Sequence, residues 1–249
     1  MAETETIEDS NTTEKQAAPK NVEYSVVLLN VNGLNDDNKR RQICSKLLKD
    51  GPDIVVLTDT RLAPDKQQDM INRTDYLCHF SQNSRRCKGI AVLLKNTTDC
   101  KVHNVTTDPK GQLLYIELIL EQHPTLFIAA YGPSDGQDDP EWWEIVFEKI
   151  NDLGYTDWCL LGDLNVIMDM KTDSMGYING NPRPRSTNFF NELFLDGSCM
   201  DAFRCLYPDD SNKYTWAKWN RSRTHMQQAR IDHYVAFPLF MQYLSLIHI

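Results

Sequence analysis

The pattern of apolar and polar positions divides most of the chain into predicted strands and helices. Apolar runs typical of buried strands lie at 24–30 and 53–58, and residues 37–50 between them have the spacing of an amphipathic helix. Further β-rich runs lie at about 75–80, 89–95, 100–107, 112–120 and 125–131, one ends at Asp163 and a last one covers 231–236, while helical spacing recurs at about 138–151 and 186–195. This alternation predicts an α/β fold, a four-layer sandwich of two mainly antiparallel β-sheets flanked by helices.

The composition of the chain limits its class and compartment. Residues 1–22 are polar and acidic, contain no aromatic residue, and are predicted to form a disordered tail. Seven cysteines without a C-x-x-C pair argue against a disulfide framework or a zinc site. The N-terminal segment lacks the features of a signal peptide, and no apolar run approaches the roughly 20 residues of a membrane helix. We therefore expect an intracellular protein, nuclear or cytoplasmic, that is not secreted and has no membrane partner.

The formal net charge of −9 argues against a nucleic-acid partner until its distribution is considered. Residues 1–23 contain six acidic residues and two lysines, a net of −4, which leaves −5 for the remainder. Within the remainder, residues 211–231 contain no acid and form a basic strip of five residues: Lys213, Lys218, Arg221, Arg223 and Arg230. Such a strip is typical of contacts with DNA phosphates, and the alternative is an ordinary solvated loop.

The most informative local motif is Gly162-Asp-Leu-Asn165, which ends an apolar run. In an extended chain, residues two apart point to the same side, so Asp163 and Asn165 face a common point while Leu164 returns to the core. Gly162 leaves room for the close approach of a backbone or a ligand. A carboxylate beside an amide suits a hard cation, or a water directed at phosphorus. An isolated motif of this kind is also typical of a strand that runs into a turn.

Four other predicted strands end in comparable chemistry. Their ends carry amides, carboxylates and a phenol: Asn30 and Asn32, Asp59, Tyr131, and Asp232. Polar groups at the carboxyl ends of core strands meet at one rim of a layered fold. We therefore expect these side chains to surround one ligand site together with Asp163 and Asn165.

At these motifs the chain resembles the endonuclease/exonuclease/phosphatase superfamily of DNase I-like and apurinic endonuclease-like enzymes, and in particular the endonuclease domain of non-LTR (LINE-type) retrotransposons. The segments that carry the resemblance are Leu29-Asn-Val-Asn-Gly-Leu34, Asp53-Ile-Val-Val-Leu-Thr-Asp-Thr-Arg-Leu62, Lys88-Gly-Ile-Ala-Val-Leu93, Tyr131-Gly-Pro-Ser134, Leu161-Gly-Asp-Leu-Asn165, Tyr214-Thr-Trp216 and Arg230-Ile-Asp-His233. They extend over about residues 24–236, and their order and spacing carry more weight than any single segment.

The resemblance implies a metal site. Asn30, Asn32 and Asp59 match the positions that surround a divalent cation, so Mg²⁺ or Mn²⁺ is the implied cofactor. Relatives usually have glutamate where this chain has Asp59, and asparagine where it has Ser134. The shorter carboxylate of Asp59 has to reach the cation directly or through water, and a contact with the phosphate is altered at Ser134.

The resemblance also implies catalytic and DNA-binding positions. Asp163 would hold or deprotonate the attacking water, Asn165 would orient it, and Tyr131 would donate a hydrogen bond to a phosphate oxygen. Asp232 would orient a catalytic histidine by accepting its ring N–H. Two further positions are implied at the rim: Thr215, which would contact the DNA backbone, and Trp216, which would pack beneath it.

The end of the chain departs from the family pattern. Relatives continue after the strand at 231–236 to a Ser-Asp-His motif with the catalytic histidine, whereas this chain ends in Leu244-Ser-Leu-Ile-His-Ile249, without an aspartate before His248. The codons CTG TCT CTT ATA CAC ATC, the start of a transposase-end adapter used in sequencing libraries, encode these residues. We therefore expect 244–249 to be a non-native tail after a domain at 23–243 that is truncated before its last strands. Such a fragment is expected to be inactive and aggregation-prone, with an unpaired sheet edge.

The function that the resemblance implies is Mg²⁺-dependent phosphodiester hydrolysis by a DNA-nicking endonuclease, the module that precedes a reverse transcriptase in a retrotransposon polyprotein. Alternatives of the same fold are an abasic-site DNA repair endonuclease and a phosphatase. An alternative of another class is a decayed, non-catalytic remnant that binds nucleic acid, and Asp59, Ser134 and the missing histidine favour it. The basic strip favours DNA over a single head group as the partner.

Overall fold

The strands and helices follow the predicted order, with one additional helix in the first half of the chain and several additional short elements in the second half. The computed structural model describes residues 23–81, 88–120, 122–134, 136, 138–208, 214–219 and 224–248. The strands are β1 (Tyr24–Asn30), β2 (Ile54–Thr58), β3 (Tyr76–Phe80), β4 (Ile90–Lys95), β5 (Cys100–Thr107), β6 (Leu113–Leu120), β7 (His123–Tyr131), β8 (Trp158–Asp163), β9 (Ser174–Met175), β10 (Met200–Asp201), β11 (Trp216–Trp219), β12 (Met226–Ala229), β13 (Asp232–Ala236) and β14 (Leu244–His248). The helices are α1 (Asp37–Asp50), α2 (Pro64–Ile71), α3 (Pro140–Leu153), α4 (Pro184–Leu195) and α5 (Ala202–Leu206), with a 3₁₀ helix at Pro238–Tyr243. Among these described helices, none is long and apolar enough to cross a membrane.

The long elements were predicted well, and the short ones were missed. The helix predicted over 37–50 is α1, and the strand predicted over 24–30 is β1. Asp36 caps α1 by accepting a hydrogen bond from the backbone N–H of Lys39 at 2.8 Å, and Gly51 ends it in the left-handed conformation. The unpredicted elements are α2, α5, β9 to β12, β14 and the 3₁₀ helix. Most of them are too short to show a clear apolar period.

Two large sheets and one small sheet are formed. The strand order is β14-β1-β2-β4-β3 in the first sheet, β10-β13-β8-β7-β6-β5 in the second and β11-β12-β9 in the small one. In the first sheet, β1 pairs in parallel with both β2 and β14; in the second, β7 pairs in parallel with β8. The predicted α/β sandwich is confirmed, with mixed pairing in place of mainly antiparallel pairing in the first sheet.

Three apolar clusters define the four layers. The two large sheets pack face to face through a cluster that includes Leu28, Phe127 and Leu161. A second cluster joins the second sheet to α3 and α4, where the rings of Trp143 and Phe190 meet edge to face at 5.0 Å. A third cluster packs α1 and α2 against the outer face of the first sheet. Because apolar contacts occupy the faces of both large sheets, polar groups collect at the strand ends.

The outer edge of β1 is paired with the last described strand. The backbone of Leu244–His248 forms β14, which pairs in parallel with β1 from Tyr24 to Val27. β14 is therefore the edge strand of this sheet, and the expected unpaired sheet edge stays a prediction. That 244–249 is non-native and that 23–243 lacks native strands both stay predictions.

Two glycines, which have no side chain, let the backbone at the end of β7 approach β8 and the loop after β8. A Cβ atom at Gly162 would lie 1.7 Å from the carbonyl oxygen of Ala130, and one at Gly132 would lie 2.2 Å from that of Leu164. Both distances are shorter than any real contact of a Cβ atom. The close approach expected at Gly162 is thus made by the backbone of β7.

Arg230 belongs to a buried ionic network. Its side chain is fully buried, donates to Asp173 from Nε at 3.1 Å and from Nη2 at 2.8 Å, and donates to Asp201 from Nη1 at 3.2 Å. Its guanidinium lies 5.4 Å from the ring centroid of Phe203, and Arg204 also pairs with Asp173. The prediction that Arg230 binds DNA is therefore wrong, because two carboxylates hold it inside the fold, where a phosphate does not reach.

We predict that Gly162→Ala lowers the free energy of unfolding by about 2 kcal/mol or more, because the added methyl group forces β7 and β8 apart. Chemical denaturation measures the loss. Gly180→Ala is the control: its φ is also positive, at 78°, but its Cβ would meet nothing within 4 Å. Gly180→Ala should lower the free energy of unfolding by the conformational strain alone, about 1 kcal/mol. Equal losses for the two variants would contradict the steric explanation.

We predict that Arg230→Met lowers the free energy of unfolding by about 3–5 kcal/mol, because it leaves the carboxylates of Asp173 and Asp201 buried without their main partner. Urea denaturation provides the measurement. The matched control is Arg41→Met, which removes an exposed ion pair with Asp37 and should lose about 0.5 kcal/mol or less. A loss for Arg230→Met as small as that of the control would show that the network does not stabilise the fold.

The pH dependence of stability provides a second test of this network. Burial raises the pKa of Asp173, but hydrogen bonds from Arg230 and the charge of Arg230 outweigh burial and lower the pKa from 3.8 to about 2. A carboxyl with a lowered folded pKa stabilises the protein above its unfolded pKa, and this contribution is lost as the pH falls through the folded pKa. We predict that the difference in free energy of unfolding between wild type and Asp173→Asn decreases by about 2 kcal/mol as the pH falls from about 4 to 2. A stability difference that stays constant over this range would contradict the prediction.

Candidate active site

The predicted catalytic and metal-binding residues lie around one cavity of about 330 Å³. It is located where β1, β2, β7 and β8 end and β13 begins. Ten residues line it: Asn30, Asn32, Asp59, Tyr131, Asp163, Asn165, Thr215, Trp216, Ile231 and Asp232. The expected convergence is present for the ends of β1, β2, β7 and β8, whereas Asp232 joins them from the start of β13, which is antiparallel to β8. The role of each residue stays a prediction.

One rung of the second sheet aligns three of these residues. β8 pairs with β7 in parallel and with β13 in antiparallel orientation, so that Asp163 lies beside Tyr131 on one side and Asp232 on the other. Side chains at the same rung of a sheet project from the same face. The register of β8 thus brings a phenol and two carboxylates together.

Asp163 connects the two large sheets. It is 2% exposed, and its Oδ2 accepts a hydrogen bond from Nδ2 of Asn30, at the end of β1, at 2.7 Å. Its Oδ1 accepts one from the backbone N–H of Asn165 at 3.1 Å. The Oδ1 of Asn30 in turn accepts from the backbone N–H of Asn32 at 3.0 Å, and Nδ2 of Asn165 donates to the carbonyl of Gly132 at 3.2 Å. The carboxylate and both amides are therefore held in defined orientations.

Asp163 and Asp232 form a pair of buried carboxyl groups. The hydroxyl of Thr215 accepts hydrogen bonds from the backbone N–H groups of Ile231 at 3.1 Å and Asp232 at 3.2 Å, which fixes the start of β13. The Oδ1 atom of Asp232 is buried without a hydrogen-bond partner. Burial raises the pKa of both carboxyl groups, and the charge of Asp232 raises that of Asp163 further. A positive charge in the cavity would relieve this repulsion.

Four residues at the site have a left-handed backbone: Asn32 (φ 43°), Asp59 (φ 53°), Arg61 (φ 45°) and Asn165 (φ 56°). In the described ranges, Gln122 is the one other non-glycine residue with positive φ. This conformation costs on the order of 1–3 kcal/mol per residue and is concentrated at functional sites. Asparagine and aspartate tolerate it better than other residues, so Arg61 is the unusual choice among the four.

Two basic side chains at the site were missed by sequence reasoning. Arg61 donates from Nε to Oδ1 of Asp59 at 2.9 Å and from Nη2 to Oδ2 at 2.6 Å. The Nζ atom of Lys88 lies 5.0 Å from the ring centroid of Tyr131. Both residues belong to segments that carry the family resemblance, and their position next to predicted site residues is the sequence feature that could have identified them.

Burial, followed by the charges of Asp163 and Asp59, raises the pKa of Tyr131 to about 12, so its hydroxyl is a donor at neutral pH.

The predicted DNA-binding residues have different locations. Lys218 is exposed on β11, the strand of the small sheet that also carries Trp216. Thr215 and Trp216 line the cavity, and the ring of Trp216 lies 6.5 Å from that of Tyr177. Arg230 is buried, as described above. The remaining three, Lys213, Arg221 and Arg223, lie outside the described residues.

The residues around the cavity fit a hard divalent cation. Three carboxylates and three side-chain amides line it, and no sulfur or imidazole does. In the part of the chain that the structure describes, no group of three or more His, Cys, Asp or Glu residues could hold an ion by itself. Amide oxygens and water would complete the ligand shell, as is usual for Mg²⁺. The unpartnered Oδ1 of Asp232 is a further feature that suits a cation or a donor in this cavity.

Comparisons with known proteins agree with the fold and identify the family. The model of the Endonuclease/Exonuclease/phosphatase family matches residues 27–237. Over 218 residues the chain is 25% identical to an exodeoxyribonuclease of Bacillus subtilis (strain 168), covering 83% of this chain and 85% of that protein. Over 227 residues it is 26% identical to the DNA repair nuclease APEX1 of Danio rerio, covering 83% and 70%. Its fold is similar to that of an AP endonuclease from Archaeoglobus fulgidus, with a TM-score of 0.67 and 17% identity over 87% of this chain and 88% of that one.

The family match includes every residue that lines the cavity, from Asn30 to Asp232. The relatives named above are nucleases, and the mixed sheets flanked by helices match the DNase I-like fold of AP endonucleases. The chain belongs to the endonuclease/exonuclease/phosphatase family.

Proposed function

We propose that this protein is a metal-dependent phosphodiesterase that nicks DNA. The observation that carries the proposal is a single cavity lined by three carboxylates, three amides and a tyrosine hydroxyl. Two nucleases among the relatives support DNA as the substrate. The motifs shared with LINE-type endonuclease domains support the narrower proposal of a retrotransposon module that is followed by a reverse transcriptase.

In this proposal Asp163 accepts a proton from the attacking water. Its pKa is raised by burial and by Asp232, so it is a stronger base than an exposed carboxylate. The side chain of Asn30 and the backbone N–H of Asn165 donate hydrogen bonds to its two oxygens. The side chain of Asn165, which donates to the carbonyl of Gly132, orients the water and the phosphate.

The other groups act on the phosphate. Tyr131 donates its hydroxyl proton as a hydrogen bond to a phosphate oxygen, where negative charge increases during the reaction. Asp232, whose backbone N–H is held by Thr215, has an unpartnered Oδ1 that would accept a hydrogen bond from the ring N–H of a histidine. None of the residues that line the cavity is a histidine. A divalent cation held by Asn30, Asn32 and Asp59 would stabilise the charge on the phosphate and the leaving group.

We predict that Asp163→Asn lowers the rate at which supercoiled plasmid is nicked in MgCl₂ by about 100-fold or more, because an amide cannot accept the proton. Conversion of supercoiled to open-circular DNA measures the rate, and EDTA should abolish the reaction. The matched control is Asp152→Asn, an exposed acid of α3 outside the cavity, which should keep the wild-type rate. A folded wild-type protein that never nicks DNA, or an Asp163→Asn variant as fast as wild type, would refute the proposal.

The second candidate function is an abasic-site repair endonuclease, which the 26% identity to a DNA repair nuclease favours. The two candidates differ in their substrates. Cleavage confined to duplexes with an abasic analogue would favour repair, whereas nicking of undamaged plasmid would favour the retrotransposon module. Binding of DNA without cleavage of either substrate would favour the non-catalytic remnant.

A further inference from the structure

The guanidinium of Arg61 uses only one of its two hydrogen-bonding edges within the protein. The edge formed by Nε and Nη2 donates to both oxygens of Asp59, at 2.9 and 2.6 Å. Within the described part of the chain, Nη1 has no hydrogen-bond partner, and the side chain is 50% exposed. The second edge, formed by Nη1 and Nη2, therefore keeps N–H groups for an anion that presents two oxygens side by side, such as a DNA phosphate.

The backbone holds this arginine in place before any ligand binds. Asp59 and Arg61 both have a left-handed backbone, which is uncommon for arginine. Four backbone hydrogen bonds fix the segment: Gly33 N–H to Asp59 O at 2.7 Å, Leu34 N–H to Thr60 O at 2.7 Å, Thr60 N–H to Gly89 O at 3.0 Å and Arg61 N–H to Lys88 O at 3.0 Å. A half-exposed arginine that is fixed in this way loses less entropy when it binds a ligand than a free one.

Charge around the cavity is unevenly distributed. Arg61, paired with Asp59, and Lys88, above the ring of Tyr131, are the basic side chains identified at the site. Asp163 and Asp232 lie together on neighbouring strands and have no basic partner among the described residues. A DNA phosphate is therefore attracted to the side of Arg61 and Lys88 and repelled by the carboxyl pair.

We propose that the Nη1/Nη2 edge of Arg61 is a subsite for a phosphate of the DNA strand next to the phosphate that is hydrolysed. This proposal rests on the proposed function, since it takes DNA as the substrate. In this arrangement each oxygen of Asp59 uses one lone pair to accept a hydrogen bond from Arg61. The remaining lone pairs of the carboxylate are available to the cavity. The arginine would fix the register of the strand and read no base.

DNA binding without catalysis tests the subsite. In an Asp163→Asn background with EDTA, fluorescence anisotropy with a labelled duplex gives the dissociation constant between about 50 and 200 mM NaCl. Arg61→Gln should weaken binding about tenfold and reduce the slope of log Kd against log salt by about one, because one phosphate contact is lost. Arg61→Lys should retain the slope but bind more weakly than wild type, since it keeps the charge without the planar edge. Arg41→Gln, an exposed arginine of α1 away from the cavity, should match the parent.

A second pair of variants separates phosphate binding from folding. Arg61→Gln leaves the carboxylate of Asp59 without its partner, so the same comparison is made between Asp59→Asn and Asp59→Asn/Arg61→Gln, in which no stranded charge remains. Equal affinity and equal salt slope within this folded pair would overturn the proposal. Failure of wild type to nick DNA, combined with a loss of binding in Arg61→Gln, would refute the hydrolytic function and leave the phosphate subsite supported.

Discussion

The site depends on the pairing of one central strand. β8 lies between β7 and β13, parallel to the first and antiparallel to the second, and a single rung of this pairing carries Tyr131, Asp163 and Asp232. A shift by one residue in either register would turn a side chain to the opposite face. Gly162 makes the register possible, because the carbonyl of Ala130 occupies the space of its side chain. The glycine of the Gly-Asp-Leu-Asn motif therefore positions the aspartate through packing.

The cost of this arrangement is electrostatic. Two buried carboxyl groups on adjacent strands repel each other, and burial adds to the rise in their pKa values. Hydrogen bonds from Asn30 and Asn165 offset part of the cost at Asp163, while Oδ1 of Asp232 has no partner. Such a site is stable only inside a fold that over-determines it, and it has a strong preference for cationic or donor ligands.

The Arg-Ile-Asp motif shows how stability and chemistry share neighbouring residues. Arg230 is buried between Asp173 and Asp201, and its backbone N–H donates to the carbonyl of Asp173 at 2.9 Å. This network anchors the segment before β13 to the segment that precedes β9. Two residues later, Asp232 faces the cavity. A structural cation before β13 and a site carboxylate at its first residue thus lie two positions apart, and only the carboxylate has a place in the proposed chemistry.

Sequence reasoning was most successful where the signal is local. Polar residues that follow apolar runs could be assigned to strand ends, and the convergence of strand ends follows from the layered fold. Asn32 and Asn165 reach the cavity from left-handed residues beyond β1 and β8, and not through the alternation of an extended strand. It failed where the deciding contact is distant in sequence. Arg230 has the same local appearance as Lys218, yet carboxylates 57 and 29 residues away bury it. Arg230 lies between β12 and β13, and nothing in its local sequence indicates these contacts.

The sequence by itself determined the family, the order of the long elements and the set of residues that reach the cavity, because apolar periods and motif spacing are properties of the chain. The tertiary structure alone decided which of the basic residues can meet a ligand. It buried Arg230 in an ion network and turned Arg61 back onto Asp59 through two left-handed residues, leaving one edge of the guanidinium in solvent. Burial and hydrogen-bond partners depend on segments that are far apart in sequence, and these partners determine whether a charge stabilises the fold or remains available for a phosphate.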